Sequence, residues 1–156
     1  MTGHQVLVVG VGAARGVTAE EVRASVCAAL AGAGLARAAV VALVTVQARV
    51  GEPGLVGGAA LLGLPLSAHP AEELARVPVP HPSERVLAAV GTPGVAEAAA
   101  LLGPVAGGAP GELVVPKTRG VGARPRCTVA IAAHSDSAWA GVARRVANEP
   151  SHQQTT

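Results

Sequence analysis

The segment VLVVGVGAARGVTAEEV, residues 6–22, determines how the fold begins. Its first four residues are consecutive aliphatics, which is typical of a strand buried on both faces. Thr18 and Glu21 then form a Thr-x-x-Glu capping box, and apolar residues recur after it at helical spacing. The segment therefore predicts a strand, a glycine-rich turn and a helix in direct succession.

The rest of the chain continues this alternation of strands and helices, which indicates an α/β fold. Most of the predicted helices begin or end at Gly or Pro, and the strands contain Val, Leu or Ile. Residues 77–82 (VPVPHP) should be extended, because Pro at alternate positions forbids a helix. Strands are predicted at residues 39–46, 64–66, 112–115 and 127–133, and helices at 52–63, 70–76, 83–90, 92–102 and 137–147.

Composition limits the class of protein and of partner. The chain has 156 residues, enough for one domain, and its 50% apolar and 14% charged content excludes a disordered chain. Phe and Tyr are absent and Trp139 is the single aromatic residue, so there is no stacking platform for nucleic acid. A net charge of +2 is too small to imply a general polyanion partner.

Neither a metal site nor a membrane segment is predicted. Cys27 and Cys127 lie far apart without a CxxC pair or a neighbouring His, so we expect buried, inert thiols and no bound metal. The longest apolar run, residues 26–46, is interrupted by two glycines and by Arg37. No signal peptide is recognisable at the N-terminus. We therefore expect a soluble, cytoplasmic protein that contacts no membrane.

The glycine-rich turn, residues 10–16, has the spacing G-x-G-x-x-x-G, one residue longer than a dinucleotide-binding fingerprint. The acidic residue expected after the second strand is absent, and Arg49 there could only meet a 2′-phosphate. In the simpler interpretation, Gly10 and Gly12 permit a tight turn before the helix. Arg15 beside the helix N-terminus would favour an anion, either a carboxylate or a phosphate.

Five sequence blocks, taken in order, resemble one family. They are GVGAARGVTAEEV, EPGLVGGAALLGLPL, PHPSERVLAAVGTPGVAEAAALL, and LVVPK followed by TVAIA. They are similar to the family of the cobalamin-biosynthesis protein CobE and the C-terminal domain of the cobalt-precorrin-5A hydrolase CbiG, over residues 6–133. The resemblance implies a single three-layer α/β/α domain with a mixed, mostly parallel sheet over residues 1–134. Residues 135–156 would be a C-terminal extension that is partly disordered.

The resemblance also implies a function in assembly of the corrin ring, without a cofactor of the protein's own. The expected role is to bind or hand on a precorrin or corrin intermediate, as an accessory or carrier protein beside other cobalamin-pathway enzymes. The alternative is the hydrolase reaction, in which a ring lactone is opened and acetaldehyde leaves. The chain length matches the stand-alone form, because it has no room for the hydrolase's preceding domains. A nucleotide-binding domain, suggested by the glycines alone, is the third hypothesis.

A site for such a ligand should combine an apolar floor with cations and helix N-termini, because the macrocycle is apolar and carries carboxylates on its rim. Arg119 is a further candidate cation, and the loop at residues 116–126 is net positive, although it could equally be a solvated turn. We expect His69 and His134 to be ordinary surface or loop histidines. The predicted substrate-binding residues are Gly10, Gly12, Arg15, Gly16, Glu52, Ser83, Glu84 and Lys117.

Catalytic candidates follow only if the chain is a hydrolase. Glu52 or Glu84 could act as the general base that activates water against a lactone carbonyl. Ser83, two residues after His81, is a weaker candidate nucleophile. Each of the three also stands at a predicted helix start, where capping alone would explain it.

Overall fold

A computed structural model describes residues 5–77, 93–104, 111–122 and 124–135. The described elements alternate as predicted, with short 3₁₀ turns on either side of the second strand. In chain order they are β1 (Gln5–Ala13), α1 (Ala19–Gly32), the 3₁₀ turn Arg37–Ala39, β2 (Val40–Val46), the 3₁₀ turn Gln47–Arg49, α2 (Pro53–Leu62), β3 (Leu66–His69), α3 (Ala71–Ala75), α4 (Pro93–Leu102), β4 (Glu112–Arg119) and β5 (Cys127–Ser135).

The ends of the first two helices are set by the residues that the sequence indicated. The amide of Glu21 donates to Thr18 Oγ1 at 3.0 Å, and the amide of Thr18 donates to Glu21 Oε1 at 3.1 Å, so the capping box is confirmed. Gly63 ends α2 with a φ of 71°, a left-handed conformation that glycine adopts without steric cost.

The five strands form one mixed sheet in the order β3-β2-β1-β5-β4. The β1–β2 and β2–β3 pairs are parallel, whereas β5 is antiparallel to both β1 and β4. The mixed sheet is confirmed, but it is less parallel than expected, since two of its four pairings are antiparallel. For β4 and β5 the reason is the short connection at residues 120–126, because a parallel pair would need a crossover of about a dozen residues or more.

Helices cover both faces of the sheet, which confirms the layered α/β architecture. On one face, α1 and α2 pack on Val9, Val11 and Ile131. On the opposite face, α4 packs on Val8 and on Ala130, whose side chains alternate with the first set. Every residue of α4 from position 95 to 101 is buried, so this helix is the centre of the second layer.

Some expectations need adjustment, and others fall beyond the described residues. The third strand begins at Leu66 instead of Leu64, and it is an edge strand as predicted. The predicted helices at residues 83–90 and 137–147, most of the extended segment 77–82 and nearly all of the C-terminal extension lie outside the described residues. In the part of the chain that is described, no helix has the length and apolar character needed to cross a bilayer.

Candidate functional site

The sheet has a topological switch point at β1. The chain leaves β1 for β2 on one side, and β5 and β4 lie on the other side. Because β1 and β4 are both antiparallel to β5, their carboxyl ends meet at one edge of the sheet, where β5 begins. In open α/β sheets, ligands bind in the crevice outside the carboxyl ends of strands at such a point.

A cleft of ≈ 430 Å³ opens at this edge. Three of its lining residues are cations, Lys117, Arg119 and Arg126, and no lining residue is acidic. Clustered positive charge of this kind raises the local concentration of an anionic ligand. The complete lining is Gly12, Ala14, Lys117, Arg119, Pro125, Arg126, Cys127 and Thr128.

Lys117 is held in β4 by a buried carboxylate beneath the strand. Its backbone N–H donates to Glu97 Oε2 at 3.0 Å, and Glu97, on α4, has no exposed surface. An oxygen of a fully buried carboxyl group carries a desolvation cost when it is left unpaired, and this hydrogen bond offsets that cost. It fixes the backbone at the point where the lysine side chain reaches the cleft.

Arg126 connects the cleft to the glycine-rich turn. Its Nη1 donates to the carbonyl oxygen of Gly16 at 3.3 Å and lies 3.8 Å from Glu21 Oε1. Its side chain is 53% exposed, so solvent or a ligand can reach the guanidinium. Among the described residues, Arg126 is thus the cleft cation that has a carboxylate close to it.

The loop that carries Arg126 is anchored on α1 through Ser25. The hydroxyl of Ser25 accepts the N–H of Val121 at 3.0 Å and the S–H of Cys127 at 3.3 Å. Burial raises the pKa of the Cys127 thiol, and nearby Glu21 raises it further, against the opposing effect of the Ser25 hydrogen bond. Cys127 is therefore a neutral hydrogen-bond donor at physiological pH, as expected for a buried, inert thiol.

Four amides of the glycine-rich turn and the start of α1 are engaged within the protein, those of Ala14, Gly16, Val17 and Thr18. Gly16 N–H donates to Glu52 Oε2 at 3.1 Å, and Ala14 N–H donates to the carbonyl of Arg126 at 2.8 Å. Val17 N–H donates to Ala14, and Thr18 N–H to the capping carboxylate. An anion at this edge would therefore meet side chains more than a cradle of free amides.

The structure brings together only part of the predicted site. Gly12, Lys117 and Arg119 line the cleft. Arg15 is exposed at the turn but does not line the cleft, and Arg49, half-buried after β2, does not line it either. Gly16 holds the turn with a φ of 85°. Ser83 and Glu84, with His81, fall outside the described residues.

Gly10 has a packing role. A Cβ atom built at this position would lie 2.0 Å from the carbonyl oxygen of Ala96 and 2.6 Å from the amide nitrogen of Ala100. The backbone of α4 therefore approaches β1 so closely that only glycine fits. The same contact leaves no room for a phosphate beside Gly10, which weighs against the dinucleotide hypothesis.

The expectation for the two histidines was wrong. His69 and His134 are only 4% and 5% exposed. Each contacts a backbone carbonyl at the C-terminal end of α4, with His69 Nε2 2.5 Å from Gly103 O and His134 Nε2 2.9 Å from Ala100 O. Each histidine follows a short run of mostly apolar strand residues, which is a weak sign of burial. No local pattern indicated a partner 34 residues away.

A family model described as cobalamin synthesis G C-terminus matches residues 7–132. Among solved structures, the chain is similar to CobE, a protein from the cobalamin (vitamin B12) biosynthetic pathway, with a TM-score of 0.68 and 29% identity over 86% of this chain and 97% of that one. No curated protein matches the chain.

Two further solved structures are similar. Cobalamin biosynthesis protein chiG from Agrobacterium tumefaciens strain C58 has a TM-score of 0.58 and 32% identity over 81% of this chain and 97% of that one. A cobalamin biosynthesis protein G homolog from Sulfolobus solfataricus has a TM-score of 0.59 and 23% identity, over 82% of this chain and 36% of that one. At that identity the third similarity concerns the fold alone.

Proposed function

The chain belongs to the cobalamin synthesis G C-terminus family, and on that premise we propose that it binds a tetrapyrrole precursor of the corrin ring in the basic cleft. It would act as an accessory or carrier protein of cobalamin biosynthesis. The observation that carries the proposal is the convergence of Lys117, Arg119 and Arg126 on one cleft at the topological switch point.

The chemistry of the ligand suits this arrangement. A corrin precursor is an apolar ring with acetate and propionate carboxylates on its rim. The arginines can pair with carboxylates through two parallel hydrogen bonds, and Lys117 supplies a compact positive charge. Gly12, with no side chain, lets the ring approach the backbone of β1, and Thr128 adds a hydroxyl to the lining.

A titration with a fluorescent tetrapyrrole tests the proposal. Uroporphyrin carries acetate and propionate groups, and its methyl ester has the same ring without the charges. We expect the free acid to bind and the ester to bind more weakly. Lys117→Ala and Arg126→Ala should each raise the Kd of the free acid about two- to fivefold, the range for partly exposed charge pairs.

A matched control and a contradicting result make the test specific. Arg23 on α1 is paired with Glu20 and does not line the cleft, so Arg23→Ala should leave the Kd unchanged. Equal binding of acid and ester, or equal Kd values for wild type and both cleft variants, would contradict the proposal.

The hydrolase alternative has a separate test. Among the described candidates, the carboxylate of Glu52 accepts the Gly16 N–H, and Ser83 and Glu84 lie outside the described residues. Release of acetaldehyde from a lactone-containing cobalt precorrin would establish catalysis. Binding of that substrate without acetaldehyde release would support the carrier role.

A further inference from the structure

The guanidinium of Arg126 is already close to a negative charge in the ligand-free protein. Glu21 Oε1 lies 3.8 Å from its Nη1, and the carbonyl of Gly16 accepts a hydrogen bond from the same nitrogen. Because Arg126 also lines the cleft, a ligand carboxylate that pairs with it must share the guanidinium with these groups or displace them.

Glu21 is fixed in this position by the helix that it caps. Its Oε1 accepts the Thr18 N–H at 3.1 Å, and its side chain is only 20% exposed. The negative charge extends to the cleft, since it helps to raise the pKa of Cys127, a lining residue. The cleft is therefore less positive than its three cations alone would make it.

We propose that Glu21 is an affinity-limiting carboxylate, which competes with the ligand for Arg126 and so weakens binding and favours release. The inference rests on the proposed function, because it requires a ligand that binds through carboxylates. For a protein that hands its ligand on, a lower affinity has a direct use: ligand exchange is governed mainly by the dissociation rate.

The substitution Glu21→Gln separates the two roles of this residue. Gln serves at the third position of a capping box as Glu does, so the helix cap is retained while the charge is removed. With uroporphyrin as the probe, we expect the Kd of Glu21→Gln to fall about two- to fivefold at low ionic strength, the size of one partly exposed ion pair. The gain should shrink as salt is added, because salt screens the pair.

The neighbouring acid supplies a matched control. Glu20 stands in the same helical turn, pairs with Arg23 and does not contact Arg126. Glu20→Gln removes the same charge from the same turn and should leave the Kd unchanged. In the double variant Glu21→Gln with Arg126→Ala, the gain should disappear, since the arginine that the charge competes for is absent.

The outcomes distinguish this inference from the proposed function. If Arg126→Ala weakens binding but Glu21→Gln binds no more tightly than wild type, the competition is overturned and the proposed function stands. Equal gains in Glu20→Gln and Glu21→Gln would also overturn it, because a general charge effect would explain both. If the free acid binds no better than the ester to wild type or Glu21→Gln, the proposed function itself fails.

Discussion

Replacement of Gly10 by alanine would show whether this glycine packs a helix or contacts a ligand. The added Cβ would lie 2.0 Å from Ala96 O, whereas ordinary contact begins near 3.4 Å. Helix α4 must therefore move from β1 by about 1.4 Å, the difference between these distances. The movement loosens the contacts of fully buried Ala99, and overpacking between two backbones costs about 3 kcal/mol.

Thermal unfolding followed by circular dichroism measures this cost. For a chain of this length, a loss of about 3 kcal/mol lowers the Tm by about 6–12 °C. Gly32→Ala is the control, because nothing lies within 4 Å of a Cβ at Gly32, and alanine at a helix end should leave the Tm unchanged or raise it slightly. A Tm for Gly10→Ala within about 2 °C of wild type would refute the packing role, and a changed uroporphyrin Kd at unchanged Tm would instead support ligand contact.

Four further predictions concern local contacts. Thr18→Ala should lower the free energy of unfolding by about 1 kcal/mol, measured in urea, because the capping bond is lost. Glu52→Gln should lower it by about 1 kcal/mol, because the bond from the Gly16 N–H then meets a neutral acceptor; an unchanged midpoint would contradict this. Cys127 should be alkylated more slowly than half-buried Cys27. Burial raises the pKa of the Cys127 thiol in the folded protein. The neutral thiol therefore contributes stability that is fully present below its unfolded pKa of about 8.5 and is lost as the pH rises through the folded pKa. Unfolding in urea at several pH values would detect this loss.

Local features of the fold could be predicted from the sequence, since their partners lie within a few residues. The capping box joins Thr18 and Glu21, three positions apart, and Gly63 ends α2 through its own backbone conformation. The strands β1, β2 and β5 were also predicted, because a continuous apolar run is typical of a strand that is buried on both faces.

Features that depend on distant partners could not be predicted. A helix was predicted at residues 92–102, yet the acceptor role of Glu97 requires β4 to lie beside α4. Gly10 was predicted to be a ligand-binding residue. Its close approach to Ala96 could not be predicted, because it depends on how α4 packs on β1. His69 and His134 meet carbonyls that only the tertiary fold brings to them.

The sequence predicted the positive charge of the candidate site better than it predicted which residues line it. Lys117 and Arg119 were expected as cations on the rim, and they do line the cleft. Arg126 was seen only as one charge in a basic loop, because its position depends on the anchoring of that loop at Ser25. The turn beside the helix N-terminus was expected to favour an anion, and its Gly16 N–H is bonded to the carboxylate of Glu52 at the start of α2.

The joint between the glycine-rich turn and α2 matters for anyone who would transplant this cleft to another scaffold. Glu52 reaches back 36 positions to Gly16, and a Cβ at Gly54 would lie 1.9 Å from the carbonyl of Val17. The two segments are packed together. A chimera that contained the turn without α2 would leave the Gly16 N–H without its Glu52 acceptor, and a residue other than glycine at position 54 would clash with Val17. Both have to be moved as a single unit.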